Sequence, residues 1–328
     1  MVLQRHHTAW TPESAPDQTG RIAVVTGSNS GIGYATARGL AACGAEVVLA
    51  CRSRDRGTAA LERLRAEVPG ASVSLRVLDL ARLRSVREFA AEWGRGRVDL
   101  LVHNAGVVAV PADPTEDGFE PHFGVNHLGA FALTGLLLPY LAASPRPRVV
   151  TVSSEVQRVV RLAPERLESV QRRRGDAMIA YGRSKKANVY FALELQRRAD
   201  AVGLPLRSMI AIPGLTDTGV LNRGANAGRG VLWRRGVTPF VHLLAKPVER
   251  GAEPTLYAAT DGKLPGGSCV APSGPLQVFG KPVAGDGFRL APDAAVARRL
   301  WTLSERLTCV RFAELDRTSS ESGPEHLG

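Results

Sequence analysis

Tyr181 and Lys185 stand four residues apart in the run YGRSK. On a helix that spacing puts both side chains on one face, about one turn apart. A phenol titrates near ~10 and exchanges protons poorly at neutral pH. A nearby ammonium favours the phenolate, and bringing the phenol into the neutral range corresponds to about 4 kcal/mol of differential interaction. The pair is therefore a candidate proton-handling centre. YxxxK also occurs as plain helix surface, so the rest of the chain has to decide.

A second constellation lies near the start. TGSNSGIG (26–33) follows the β-rich run RIAVVTG and opens a stretch with helical periodicity. In such a turn Gly27 permits the tight bend, Gly31 lets a dinucleotide phosphate approach the backbone, and Gly33 allows close helix–strand packing. The free N–H groups at the helix start then face the phosphate. Gly27, Ser28, Asn29, Ser30, Gly31, Ile32 and Gly33 thus form a candidate phosphate cradle, spaced GxxxGxG rather than GxGxxG. The next strand ends in ACRSR, with no acid to bond a ribose 2′-hydroxyl. Arg52 stands there instead, and a guanidinium can clasp a 2′-phosphate. That favours NADPH/NADP+ over NADH, against the alternative of one more surface arginine.

The elements that must position these groups alternate. RIAVVTG, AEVVLAC, SVSLRVLDL, VDLLVHNAG, RVVTVSS and PLRSMIAIPG read as strands. YATARGLAACG, RDRGTAALERLRAEV, RLRSVREFAAEW, GFEPHFGVNHLGAFALTGLLLPYL and AMIAYGRSKKANVYFALELQRRA read as helices between them. Strand–helix alternation implies crossover units and an α/β fold: a single doubly wound parallel sheet, a Rossmann fold, with helices on both faces. The expected organisation is a flexible arm over 1–19, one domain over 20–315, and a tail over 316–328. Arginine-rich 155–177 and glycine- and arginine-rich 215–248 interrupt the rhythm as inserts, and connections of that length in a compact domain are usually functional lids or disordered excursions.

Composition narrows the class. Net charge is +11, carried by 37 arginines and five lysines. The arginines spread along the whole chain without an aromatic-rich basic stripe, so nucleic-acid binding is not expected. They read as GC-rich codon usage and a solvated basic surface that favours anionic ligands. The four cysteines form no CxxC or metal-ligand pattern, and adjacent His6 and His7 read as tail, so no metal is expected. The amino-terminal run has no apolar signal region, and FALTGLLLPYLAA is too short to span a bilayer. A cytoplasmic location without a membrane span is the expectation.

TGSNSGIG, the HNAG of 103–106, Asn126 in VNHLG, the serines 153–154 and YGRSK occur in the order and spacing of one family. The chain resembles the short-chain dehydrogenases/reductases from about residue 20 to at least 260. Within them it is most similar to the branch of retinol dehydrogenases and protochlorophyllide-reductase-like bacterial oxidoreductases, through VVLACR, FGVNHLGAFALT, RVVTVSS and YGRSKKAN. The resemblance implies that Tyr181 is the general acid/base. It makes Lys185 the cation that lowers the Tyr181 pKa and bonds the nicotinamide ribose, Ser154 the partner of the substrate oxygen, and Asn126 the holder of a relay water. It places Asp79 on the adenine amine with Leu80 beside it, and Asn104, Ala105 and Gly106 along the cofactor channel. Pro213, Gly214 and Thr218 fall in the segment that holds the carboxamide. Family members pair through their long helices, here around 118–143 and 177–202, which implies a homodimer or homotetramer. Two departures stand out: His103 replaces a common asparagine, and Ile212 replaces a histidine frequent in the closest branch, which bears on the pocket wall.

These readings converge on an NADP(H)-dependent oxidoreductase acting on a small-molecule carbonyl or alcohol. The loops 107–117, 155–180 and 215–248 mix apolar walls with Arg158, Arg161, Arg172, Arg173 and Arg174. A bulky, mostly apolar substrate is expected, and with it a tailoring ketoreductase of bacterial secondary metabolism. Two other classes stay open. A non-redox cyclase, dehydratase or epimerase would use Tyr181 only as an acid, and a cofactor-binding regulator would perform no chemistry.

Overall fold

The structure, a computed structural model, describes residues 10–108, 110–111, 113–162, 176–214, 247–274, 277, 279–291 and 293–316. Eight strands form one sheet: β1 (Ile22–Thr26), β2 (Glu46–Cys51), β3 (Val73–Val77), β4 (Leu100–His103), β5 (Arg148–Val152), β6 (Arg207–Ala211), β7 (Ser268–Pro272) and β8 (Pro282–Asp286). Their order is β3-β2-β1-β4-β5-β6-β7-β8. The first seven are parallel, but β8 pairs antiparallel with β7, Cys269 opposite Gly285. This antiparallel edge is the one departure from the all-parallel expectation. A short return connection reaches β8, whereas a parallel neighbour needs a crossover of a dozen residues or more.

The inner strands are buried on both faces, as two covering helix layers demand. Successive residues alternate between cores: Ala23 and Val25 enter one, Val24 the other, and Leu49 and Val48 do likewise. One layer holds α1 (Gly31–Ala42), α2 (Arg54–Glu67) and α6 (Val248–Thr260). There α1 and α6 touch so closely that a Cβ on Gly39 would lie 2.7 Å from Leu256 Cδ1. The other layer holds α3 (Leu83–Ala91), α4 (Gly129–Ala142), α5 (Ala177–Ala201) and α7 (Ala294–Thr308), and a short helix α8 (Ala313–Asp316) follows.

The single helix expected over 118–141 is built in three parts. A turn at Pro121–Phe123 leads into a π-helical turn, Gly124–Leu128, and then into α4. The whole run Pro121–Ala142 is longer than the apolar stretch seen in the sequence. By length and composition it could cross a membrane, and most of it is buried inside the fold. Of the expected arm, residues 10–19 are described. Trp10 is buried and stacks on Tyr257 of α6, ring centroids 5.4 Å apart.

Candidate active site

The strand order reverses between β1 and β4, and open parallel sheets bind ligands beyond the strand ends at such a point. Here the sequence pins the two ends together. Thr26 Oγ1 accepts from the Asn104 and Ala105 amides at 3.1 and 3.0 Å and donates to the Val102 carbonyl. Asn104 Nδ2 returns a bond to the Thr26 carbonyl at 3.0 Å. Gly27 then turns at φ +66°, where a Cβ would meet Ala105 Cα at 2.8 Å. Gly33 is enclosed, since a Cβ there would lie 2.3 Å from Asn104 Nδ2 and 2.5 Å from the Gly27 carbonyl. Ser30 stands at the N-cap of α1 without a side-chain capping bond, leaving the helix-start amides for a ligand.

A cavity of about 600 Å³ runs from this turn along the sheet end. Asn29, Ser30, Gly31 and Ile32 line it at one end, with Arg52 on the rim. Asp79 and Leu80 follow, then Asn104, Ala105 and Gly106. Ser154, Tyr181, Lys185, Pro213 and Gly214 close the other end. Thr218 lies outside the described residues, as do Arg172, Arg173, Arg174 and residues 215–246 of the second insert. Ser28 departs from the expected cradle. It is wholly buried and its hydroxyl donates to the Val25 carbonyl at 2.9 Å, so the side chain faces the core rather than the cavity. Ile212 is likewise buried in the core and does not line the cavity.

Tyr181 and Lys185 share a face of α5, whose start is fixed by Asp176 accepting from the Met178 and Ile179 amides. Gly182 makes room for the first insert, because a Cβ would meet Val160 and Val156 side chains at 2.9 and 3.0 Å. Burial pushes the Tyr181 phenol above its ordinary value, and the hydrogen bond with Ser154 draws it back. Lys185 is 4% exposed, and burial lowers it to about 8. Its Nζ donates to the Val152 carbonyl at 2.9 Å and lies 5.9 Å from the Tyr181 ring centroid. In this arrangement burial and Ser154 act on the Tyr181 phenol.

Asn126 is held by the π-turn, almost fully buried and not on the cavity wall. Its Oδ1 accepts from the Val107 amide at 2.7 Å, and its Nδ2 donates to the Val107 carbonyl and to Ser184 Oγ. Ser184 Oγ in turn donates to the Tyr181 carbonyl at 2.7 Å. A Cβ on Gly106 would lie 3.1 Å from Asn126 Oδ1 and 3.4 Å from Lys185 Nζ, so all three meet at one point. Ser153 is a brace, donating to the Lys185 carbonyl at 3.0 Å.

Several site residues escaped the sequence reading. Arg56 joins Arg52 on the cavity rim, and its place one turn into α2, after the Ser53 cap, was the available signal. Glu120 and His122 form a buried pair, Oε1 to Nδ1 at 2.6 Å, with the His122 ring edge-on to Tyr181 at 6.4 Å. His122 Nε2 accepts from the Val110 amide at 3.4 Å, which assigns the Nδ1 proton toward Glu120. The apolar wall is made by Val107, Val108, Val110, Val156 and Met178.

This geometry agrees with what the chain is similar to. The profile of the short chain dehydrogenases matches residues 21–164. Retinol dehydrogenase 13 of Homo sapiens is 39% identical over 315 residues, covering 94% of this chain and 90% of that protein. The chain belongs to the short-chain dehydrogenase family. Polyprenol dehydrogenase of Mus musculus is 38% identical over 315 residues, 94% of this chain and 89% of that one. Among solved structures, an uncharacterized protein from Mycobacterium paratuberculosis is 41% identical with a TM-score of 0.75, covering 93% of this chain and 99% of the other. A protein described as a short chain dehydrogenase of Escherichia coli, complexed with NADPH, is 25% identical with a TM-score of 0.56 over 74% of this chain and 92% of that one. Short-chain dehydrogenases use nicotinamide cofactors, and the enclosed glycine turn with its free helix-start amides fits one.

Proposed function

We propose that the protein is an NADP(H)-dependent oxidoreductase that interconverts a carbonyl and an alcohol on a bulky, mostly apolar small molecule. The observation that carries this reading is the single cavity wall shared by the glycine turn, Arg52 and the Ser154–Tyr181–Lys185 group. Bound there, the nicotinamide would supply or accept the hydride.

The chain's own groups do the rest. The α1 amides and Gly31 would hold the pyrophosphate. Arg52 and Arg56 are both exposed on the rim, and no ion pair engages either among the described residues. Two guanidiniums so placed suit a 2′-phosphate. Asp79 and Leu80 would bound the adenine, and Asn104, Ala105 and Gly106 the ribose side of the channel. Pro213 and Gly214, with Thr218, would flank the carboxamide. Tyr181 would deliver the proton to the substrate oxygen in reduction and remove it in oxidation. Ser154, already bonded to the phenol, would hold that oxygen in place. Lys185, buried beside Gly106, would bond the ribose and place its charge near the phenolate as the proton leaves. Asn126 would act by fixing Val107 and, through Ser184, the Tyr181 backbone.

The valine and methionine wall supports an apolar substrate. A relative named for retinol and one named for polyprenol point the same way. A tailoring role in secondary metabolism and a cytoplasmic location belong to this proposal, as do the pairing into a dimer or tetramer and the roles of both inserts. The test is NADPH oxidation with retinal and long-chain aldehydes. Tyr181→Phe should lower turnover by about 10²–10⁴-fold while leaving NADPH affinity within about twofold. Product formation without net NADPH consumption would move the assignment to a non-redox reaction. Wild-type turnover in the phenylalanine variant would refute it.

A further inference from the structure

The opposite end of the sheet carries a second cavity, of about 760 Å³. It lies below the strand starts. Arg21 immediately precedes β1, and Arg148 and Arg207 are the first residues of β5 and β6. Arg146 and Lys263 are exposed at its rim.

These cations are bonded to neutral oxygens. Arg148 Nη1 donates to the Ala258 carbonyl at 2.7 Å. Arg207 Nη1 donates to the Gly262 and Leu264 carbonyls, and Arg21 to Gln18 Oε1 and to the Asp99 and Arg146 carbonyls. None of the five forms an ion pair among the described residues. The three carboxylates on the cavity wall have local donors instead: Asp17 takes Thr19, Asp200 takes Gln196 Nε2, and Asp261 takes the Lys263 amide. Asp99 and Asp261 act on Arg21 and Arg148 only from beyond pairing distance.

Helix-end carbonyls commonly attract arginines, and Ala258 lies in the last turn of α6. That accounts for one of the five guanidinium N–H groups of Arg148. It does not account for a guanidinium 5% exposed with Arg21 and Arg207 repelling it. Burial and those two neighbours lower Arg148 to about 10. A buried charge without a counter-charge is costly, and an anion would offset the cost for three arginines at once. The cavity also has an aromatic side. Trp10, stacked on Tyr257, is 6% exposed, and its buried indole Nε1 has no partner.

We propose that this cavity is a binding site for a phosphate-bearing small anion with two or more negative charges, held by Arg21, Arg148 and Arg207 and drawn in by Arg146 and Lys263. It is separate from the cofactor cleft, since β5 and β6 begin at this cavity and end at the other. Phosphate offers more acceptor oxygens and more charge than a single carboxylate, which suits three arginines lining one cavity.

The test is calorimetric titration of the full chain with inorganic pyrophosphate at constant ionic strength. All measurements are made in the Arg52→Gln/Arg56→Gln background with NADH saturating the cofactor cleft, so that neither its rim nor its glycine turn contributes. Saturable binding at one site is expected. Adding Arg146→Gln and Lys263→Gln should raise Kd at least about tenfold, as loss of two charged contacts predicts. Adding Arg298→Gln and Arg299→Gln on α7 removes the same charge from an exposed surface elsewhere and should leave Kd within about twofold. Thermal melts confirm that each variant is folded. Absence of saturable binding, or equal weakening by both added pairs, would overturn the proposal.

Discussion

His103 and His127 make the protein acid-sensitive in a way that can be calculated. Both are buried, and burial lowers each to about 3. His103 Nε2 pairs with Thr134 Oγ1 at 2.7 Å, and His127 Nε2 with Ser304 Oγ at 2.9 Å, both neutral partners. In the unfolded chain a histidine titrates near ~6.5. The folded value is the lower one, so stability is complete above pH ~6.5 and falls as the unfolded state gains protons, until pH approaches about 3. Each histidine contributes a slope of ~1.36 kcal/mol per pH unit. At pH 5 the loss is about 2 kcal/mol per histidine and about 4 kcal/mol for both, a large share of an ordinary ~5–15 kcal/mol. Asp99, whose folded value is lowered, adds its loss only at more acid pH. Glu155, raised by burial, works in the opposite sense. Comparing His103→Asn with wild type cancels both. Urea unfolding midpoints between pH ~8 and pH ~5 should fall about half as steeply in the variant. Equal slopes would refute the assignment of a neutral, uncompensated His103, whatever the variant does to absolute stability.

Further perturbations separate the parts of the site. Arg52→Gln/Arg56→Gln should shift the NADPH:NADH dissociation-constant ratio by roughly 10–100-fold toward NADH, as loss of charge-assisted bonds implies. An unchanged ratio would remove both arginines from 2′-phosphate recognition. Gly33→Ala forces a Cβ to within 2.3 Å of Asn104 Nδ2, so calorimetry should show NADPH affinity lost and melts a destabilisation of about 1–3 kcal/mol. Lys185 at about 8 loses its ammonium as pH rises through that value. If the ammonium assists turnover, kcat/KM should decline above pH ~8 in wild type and lack that limb in Lys185→Met. Glu120→Gln weakens the bond that orients His122 beside Tyr181. A KM increase of several-fold for apolar aldehydes with unchanged NADPH affinity would show that the pair shapes the substrate wall.

The legible parts of the sequence were those where chemistry is local. A glycine at a tight turn or an i, i+4 pair leaves its mark within a few residues, so the turn at Gly27, the enclosure of Gly33 and the shared helix face of Tyr181 and Lys185 could be read from spacing. Ser28 and Ile212 could not. Each sits beside residues that line the cavity, but Ser28 bonds Val25 and Ile212 fills the core, and side-chain direction at a turn or strand end is decided by what packs behind it. Asn126 lies between these cases. Its motif was visible, but the π-turn that holds it beside Val107 was not, and just after that turn Gly129 packs so closely on Leu80 that a Cβ would come 2.5 Å from the carbonyl. The basic cavity shows the same limit more strongly. Arg21, Arg148 and Arg207 are far apart in a chain with 37 arginines, so nothing in their spacing distinguishes them from solvated surface. Only the parallel sheet, by starting β1, β5 and β6 at one edge, makes neighbours of them. The sheet therefore gathers two groups of side chains: Ser154, Tyr181 and Lys185 beyond the carboxyl ends of its strands, and at the amino ends arginines that form no ion pair among the described residues.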